Sequence, residues 1–359
     1  MSIFAPNLLR VLFCLTTVIL GCTLSPASAQ LTVKPKSKSS SKSRSPAEHP
    51  LESNHGIRFS EPIETEWEFG LTVNSTGNSG GILVTVPIPM NWPEQEVKLL
   101  KENRTANVSK YRTKNPTRET KQFSFSIHRM SGGVPESGSM VYQIRKKMIV
   151  RPKDTTLFQI PERPNSKVSS FLKPSPFIES KHKRIREIAD DLNDKTLNGW
   201  DQAEANYRWV RKNVAYKFDR VIRSCLDALD QGQGDCEELS SLFIAICRAQ
   251  GIPARAVWIP GHTYPEFYLE DEQGNGHWFP CQAAGTYEFG SMTETKPILQ
   301  KGDRFKTRDA NNRSTVVRYL QPTLICRMPD GQVTIDWIHR ELKNESKIGG
   351  SAEKESGLK

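Results

Sequence analysis

The 359-residue chain is long enough for two ordinary domains, and an apolar fraction of 36% suits packed cores rather than disorder. Its formal charge of +10 does not describe a folded basic face, because much of the excess sits in Lys34, Lys36, Lys38, Lys42 and Arg44 and in the tail after Leu342. No aromatic residue interleaves with those lysines, so base stacking has no platform and nucleic acid is excluded as a partner, while an anionic cell-surface polymer or membrane surface would suit a solvated tether.

At the N-terminus a single positive charge, Arg10, precedes an apolar run from Val11 to Gly21 and then Ala27-Ser28-Ala29. This predicts a cleavable secretory signal over 1–29, since the run is too short to span a membrane and the small residues are what a signal peptidase accepts. The stretch Ile19-Leu20-Gly21-Cys22 leaves a lipoprotein reading open, with Cys22 acylated, although Leu20 is bulky for that motif. Either way the protein is expected to be exported. Five cysteines would remain after cleavage, Cys225, Cys236, Cys247, Cys281 and Cys326, an odd number with no CxxC spacing. Residues 30–55 are Lys, Ser and Pro with few core-forming side chains and are read as a linker.

From Ile57 onward the period is two. Trp67, Phe69, Leu71 and Val73 alternate with Glu66, Glu68, Gly70 and Thr72, and further strands are expected at 82–86, 123–127 and 140–150, giving a small β-sandwich over 56–155. The period then lengthens. Ile185, Ile188, Ala189 and Leu192 mark one amphipathic helix, and Ala203, Tyr207, Val210 and Val214 a second. A third begins at Asp235, which can cap it while Glu238 reaches back, with Leu239, Leu242, Phe243 and Ile246 as the buried stripe. β signal returns at 256–259, 262–269 and 277–282, so residues 170–342 read as an α+β domain and 343–359 as a polar tail. No dinucleotide or phosphate loop is present in the sequence, and the residues imply no cofactor and no metal.

Cys236 falls in the first turn of the third helix, where unpaired amides and the helix dipole favour a thiolate. The segment GDCEELSSLFIAICRAQGIPARAV, followed by HTYPEFYL and HWFPCQ, resembles the core of the transglutaminase-like superfamily. That pattern is a Gly-x-Cys at a helix start, an Arg-Ala-x-Gly-Ile-Pro-Ala-Arg turn, a His-x-aromatic-x-Glu strand and a Trp-x-Pro-x-Asp strand. Arg248, Ala249, Gly251, Ile252, Pro253, Ala254 and Arg255 match the turn, and Trp209, Val210 and Tyr216 fit the preceding helix.

The resemblance implies a papain-like core, helices packed on an antiparallel sheet, preceded by the β-sandwich. It implies Cys236 as nucleophile and His262 as general base and acid, with a peptide or protein amide as substrate. Two positions depart from the pattern. Tyr264 stands where Trp is usual, and Gln282 occupies the slot of the orienting Asp. Papain-like enzymes work with a neutral amide there, so the expectation is a thiol-dependent amide hydrolase or acyltransferase with Gln282 orienting His262. The rival expectation is a degenerate module that binds without turnover. Oligomeric state has no signal in the sequence.

Overall fold

The computed structural model describes residues 58–219, 221–308 and 313–342. The expected signal, the Lys/Ser linker and the polar tail lie outside the described residues. The molecule is mixed α and β, mostly sheet, with a β-rich N-terminal region.

That region opens with β1 (Ile63–Ser75), whose Trp67, Phe69, Leu71 and Val73 are buried as the alternation predicts. Then follow β2 (Ser79–Ile88), β3 (Gln95–Arg104), β4 (Val108–Thr117), β5 (Thr120–Met130) and β6 (Glu136–Lys146). Apolar side chains of β1, β2, β5 and β6 interdigitate in one core that includes Ile82, Val84, Phe123, Phe125, Met140 and Ile144. Strands β3 and β4 are absent from the sequence-based expectation. Their side chains are largely Lys, Glu, Arg and Asn on exposed faces, so the alternation that marks a half-buried strand is not written in them.

Helices α1 (Lys183–Leu192) and α2 (Gly199–Asn213) form where the period lengthens, burying Ile185, Ala189, Ala203, Tyr207 and Val210. Between them and α4 (Cys236–Ala249) lies a helix missing from the sequence reading, α3 (Cys225–Gln231), closed by a capping box of Ser224 and Asp227. The Ser-x-x-Asp spacing is the signal that could have found it. Strands β7 (Ala254–Ile259), β8 (His262–Glu270) and β9 (Gly276–Pro280) then form an antiparallel meander on which α4 packs.

The expected division at 170–342 needs correcting, for a topological reason. The short β10 (Gln300–Lys301) pairs with β7 on one side and with β5 on the other, so the meander and the β-rich region share one eight-stranded sheet. Beyond it, β11 (Thr323–Met328) pairs with β2, and β12 (Val333–Leu342) pairs with β1 along its whole length. The C-terminal strands therefore complete the N-terminal sandwich. Chain order could not reveal this, because the pairing joins residues more than 200 positions apart.

Lys301 holds this junction. Its ammonium, 3% exposed at the side chain, pairs with Glu94, and it reaches Glu266 of β8 at 2.7 Å. Removing one partner of a buried charge pair leaves an uncompensated charge and costs about 3–5 kcal/mol. Lys301→Met is expected to lower unfolding free energy by that order, measured by urea denaturation. A loss under about 1 kcal/mol would show that the junction does not depend on this cation.

Candidate active site

The nucleophile candidate is placed by the start of α4. Asp235 is the N-cap, its carboxylate accepting from the Glu237 amide at 2.7 Å, and Glu238 reaches back to accept from the Asp235 amide at 2.9 Å. This is the reciprocal cap that the sequence predicts, and it puts Cys236 at the first helical position. At the other end of α4 the Ile252 amide donates to the Cys247 carbonyl and the Gly251 amide to that of Arg248. Gly251 there has φ +84°, a left-handed conformation that explains the glycine of the Gly-Ile-Pro turn. Arg248, wholly buried, closes the turn from within, donating to the Ala254 carbonyl and pairing with Asp303 at 2.7 Å.

Of the residues expected to form the site, the fold brings His262 and Gln282 into contact, with His262 Nε2 and Gln282 Oε1 at 2.9 Å. The amide oxygen can only accept, so Nε2 carries the proton and Nδ1 keeps its lone pair. The backbone amide of Thr263, the residue after His262, is among the groups that act on the Cys236 thiol, lowering it. Tyr264 points elsewhere: it is buried in a cluster with Val257, Ile259, Met292 and Ile298.

Three other histidines have structural posts. His277 Nε2 lies 3.1 Å from Asp271, His182 caps α1 by accepting from the Arg184 amide, and His339 lies against Trp337, ring centroids 4.4 Å apart and tilted by 46°. One neighbour of the thiol was seen in sequence only as part of the preceding helix. Tyr216 pairs in register with Gly234, two residues before Cys236, and its phenol is pushed up by burial first and then by its electrostatic interaction with Cys236 and Asp235. Of the five cysteines among the described residues, all are free thiols, and Cys225, Cys247 and Cys281 are buried. Among the described residues no group of three His, Cys, Asp or Glu side chains is placed to hold a metal ion.

Residues 186–283, which contain Cys236, His262 and Gln282, match the model of the transglutaminase-like superfamily. This segment is a transglutaminase-like core. A relative from Haemophilus influenzae, itself an uncharacterized protein, is 32% identical over 98 residues, which cover 25% of this chain and 26% of the relative, so the chain spans about a quarter of that relative's length. Among solved structures, a presumed cysteine protease from Cytophaga hutchinsonii shares the fold with a TM-score of 0.56 at 17% identity, over 80% of this chain and 94% of that one.

Electrostatics in the transglutaminase-like core differ from the expectation of a thiolate at a helix start. Burial pushes the Cys236 thiol up to about 12; the Thr263 amide opposes this, while the carboxylates of Asp235, Glu237 and Glu238 add to it. Burial also lowers the His262 imidazole, against its hydrogen bond to the Gln282 oxygen, which raises it. Burial, with the acidic side chains of the cap adding to it, favours the neutral thiol, and burial likewise favours the neutral imidazole of His262. The alkylation rate of Cys236 by iodoacetamide, followed by mass mapping, is expected to keep climbing between about pH 7 and pH 10. A plateau already reached below about pH 7 would mean a thiolate–imidazolium pair and overturn the assignment.

Proposed function

We propose that this chain is an exported thiol-dependent hydrolase of peptide or protein amides, with Cys236 as nucleophile, His262 as base and acid, and Gln282 as the group that orients His262. The observation that carries the reading is the 2.9 Å contact of His262 Nε2 with the Gln282 amide oxygen, at the start of the strand whose next residue, Thr263, acts on the Cys236 thiol. In this scheme Nδ1 takes the thiol proton as sulfur bonds to the amide carbon. The tetrahedral oxyanion is met by the Cys236 amide and the Tyr216 phenol. Its collapse breaks the C–N bond, the imidazolium gives its proton to the leaving amine, and water then cleaves the thioester with His262 again as base. Water is the default acceptor, so hydrolysis is favoured over transfer to an amine.

The raised thiol also favours a second reading, a transglutaminase-like module that binds without turnover. Kinetics on a peptide-amide substrate separate the two. Cys236→Ala and His262→Ala are each expected to abolish turnover, and the double variant to be little worse than either, because the residues act as a unit. Gln282→Ala removes one neutral hydrogen bond worth roughly 0.5–1.5 kcal/mol and should cost about two- to tenfold in rate, whereas Gln282→Asp should be tolerated. Most activity surviving in Cys236→Ala or His262→Ala would sink the enzyme assignment.

Export rests on Arg10, the apolar run to Gly21 and Ala27-Ser28-Ala29. N-terminal sequencing of the native protein is expected to begin at or near Gln30. Finding Met1 would reject export, and a lipid on Cys22 would replace the free form with an anchored one.

A further inference from the structure

Gln282 lies just past the end of β9, where ladder pairing runs out. Its amide donates to the Glu288 carbonyl at 2.8 Å, but no backbone N–H among the described residues takes the carbonyls of Gln282, Ala283, Gly285 or Thr286. Arg211 takes all of them. Its Nη1 donates to Gln282 O at 2.9 Å, Thr286 O at 3.2 Å and Ala283 O at 3.4 Å, and its Nη2 to Gly285 O at 2.7 Å. The guanidinium also sits over the rings of Tyr207 and Tyr287, 5.5 and 5.6 Å from their centroids. Among the described residues no carboxylate pairs with it, so its five donors are free for the loop.

A loop without its own ladder needs an outside template, and a planar fork against four carbonyls supplies one that a point-charge ammonium cannot. We propose that Arg211 is a positioning residue, which fixes the backbone of residues 282–286 and thereby aims the Gln282 amide at His262. The inference rests on the roles given above to Gln282 and His262. It adds a residue on α2, a helix that contributes no atom to the reacting groups.

The test reads the imidazole directly and needs no substrate. Full-length protein labelled with ¹⁵N-histidine gives the tautomer and titration of each ring, with His262 assigned by its loss in His262→Ala. Gln282→Ala should move the His262 ring signals and lower its titration midpoint further, since the acceptor that favours the N–H is gone; Glu294 and Lys296 are the charges that face the ring and are unchanged. Arg211→Gln should reproduce that shift while the other histidines stay put, and the Arg211→Gln/Gln282→Ala pair should match Gln282→Ala alone. In turnover, Arg211→Gln should fall by the same about two- to tenfold, with no further loss in the pair. Should Arg211→Gln not fold, Arg211→Lys keeps the charge but not the fork, and a partial shift is expected.

Wild-type His262 signals in a folded Arg211 variant would overturn the inference. Unchanged signals in Gln282→Ala would instead overturn the role of Gln282. Loss of turnover bears on neither, because the spectra are read without it.

Discussion

A single ammonium group, that of Lys301, sits where the meander joins the β-rich region within the eight-stranded sheet. It lies on β10, the short strand that bridges the meander to the sandwich, and it is shared by Glu94, just before β3, and Glu266 of β8. The second oxygen of Glu266 takes Arg255 at 2.6 Å, and the Arg255 guanidinium lies 3.9 Å from the Trp278 ring centroid. Burial pushes the Glu266 carboxyl up, but Arg255 and Lys301 outweigh it and hold it low. Charges this deep are tolerated only when each meets its partner, so the chain Glu94–Lys301–Glu266–Arg255 accepts one register of β8 against β7 and β9. His262 stands four residues before Glu266 on the same strand, and its position is inherited from that register.

The neutral amide at position 282 is consistent with the charges around it. Asp235, Glu237 and Glu238 already raise the Cys236 thiol, and Glu294 faces His262. A further carboxylate would add like charge to a half-buried site whose resting pair is uncharged. Gln282 supplies an acceptor that selects the tautomer and leaves Nδ1 with its lone pair. The electrostatic work that an Asp would do for an imidazolium is needed only while the proton is on the ring.

How far the sequence announced this molecule depended on whether a signal was local. Trp67, Phe69, Leu71 and Val73 show their period within one strand, and Asp235 and Glu238 show their cap within four residues, so both were legible. Strands β3 and β4 were not, because their exposed faces are charged on both sides of the alternation. Nor was the return of β11 and β12 to the first sandwich, which rests on pairing such as Trp337 with Leu71. The candidate site residues could be named because a helix start and a strand start carry their own motifs. Helix amides favour a thiolate at Cys236, but burial opposes it, and the same cap that creates that helix start brings carboxylates that add to the opposition. Arg211 was invisible because its partners are backbone carbonyls about seventy residues away, and carbonyls leave no mark in a sequence.

Each group of the site sits at the end of an element, where hydrogen bonding is least self-sufficient. Cys236 opens α4, His262 opens β8 and Gln282 follows β9. Each lies on an element held by one charged side chain. Lys301 secures β8 through Glu266, Arg211 secures the loop of Gln282, and Glu238, 1% exposed, secures the helix start. One oxygen of Glu238 accepts from the Asp235 amide and the other from the Arg223 amide at 2.7 Å. That second bond ties the start of α4 to the segment just before α3. A charged group used this way restrains position without touching the reacting atoms, which lets the residues that do touch them stay neutral.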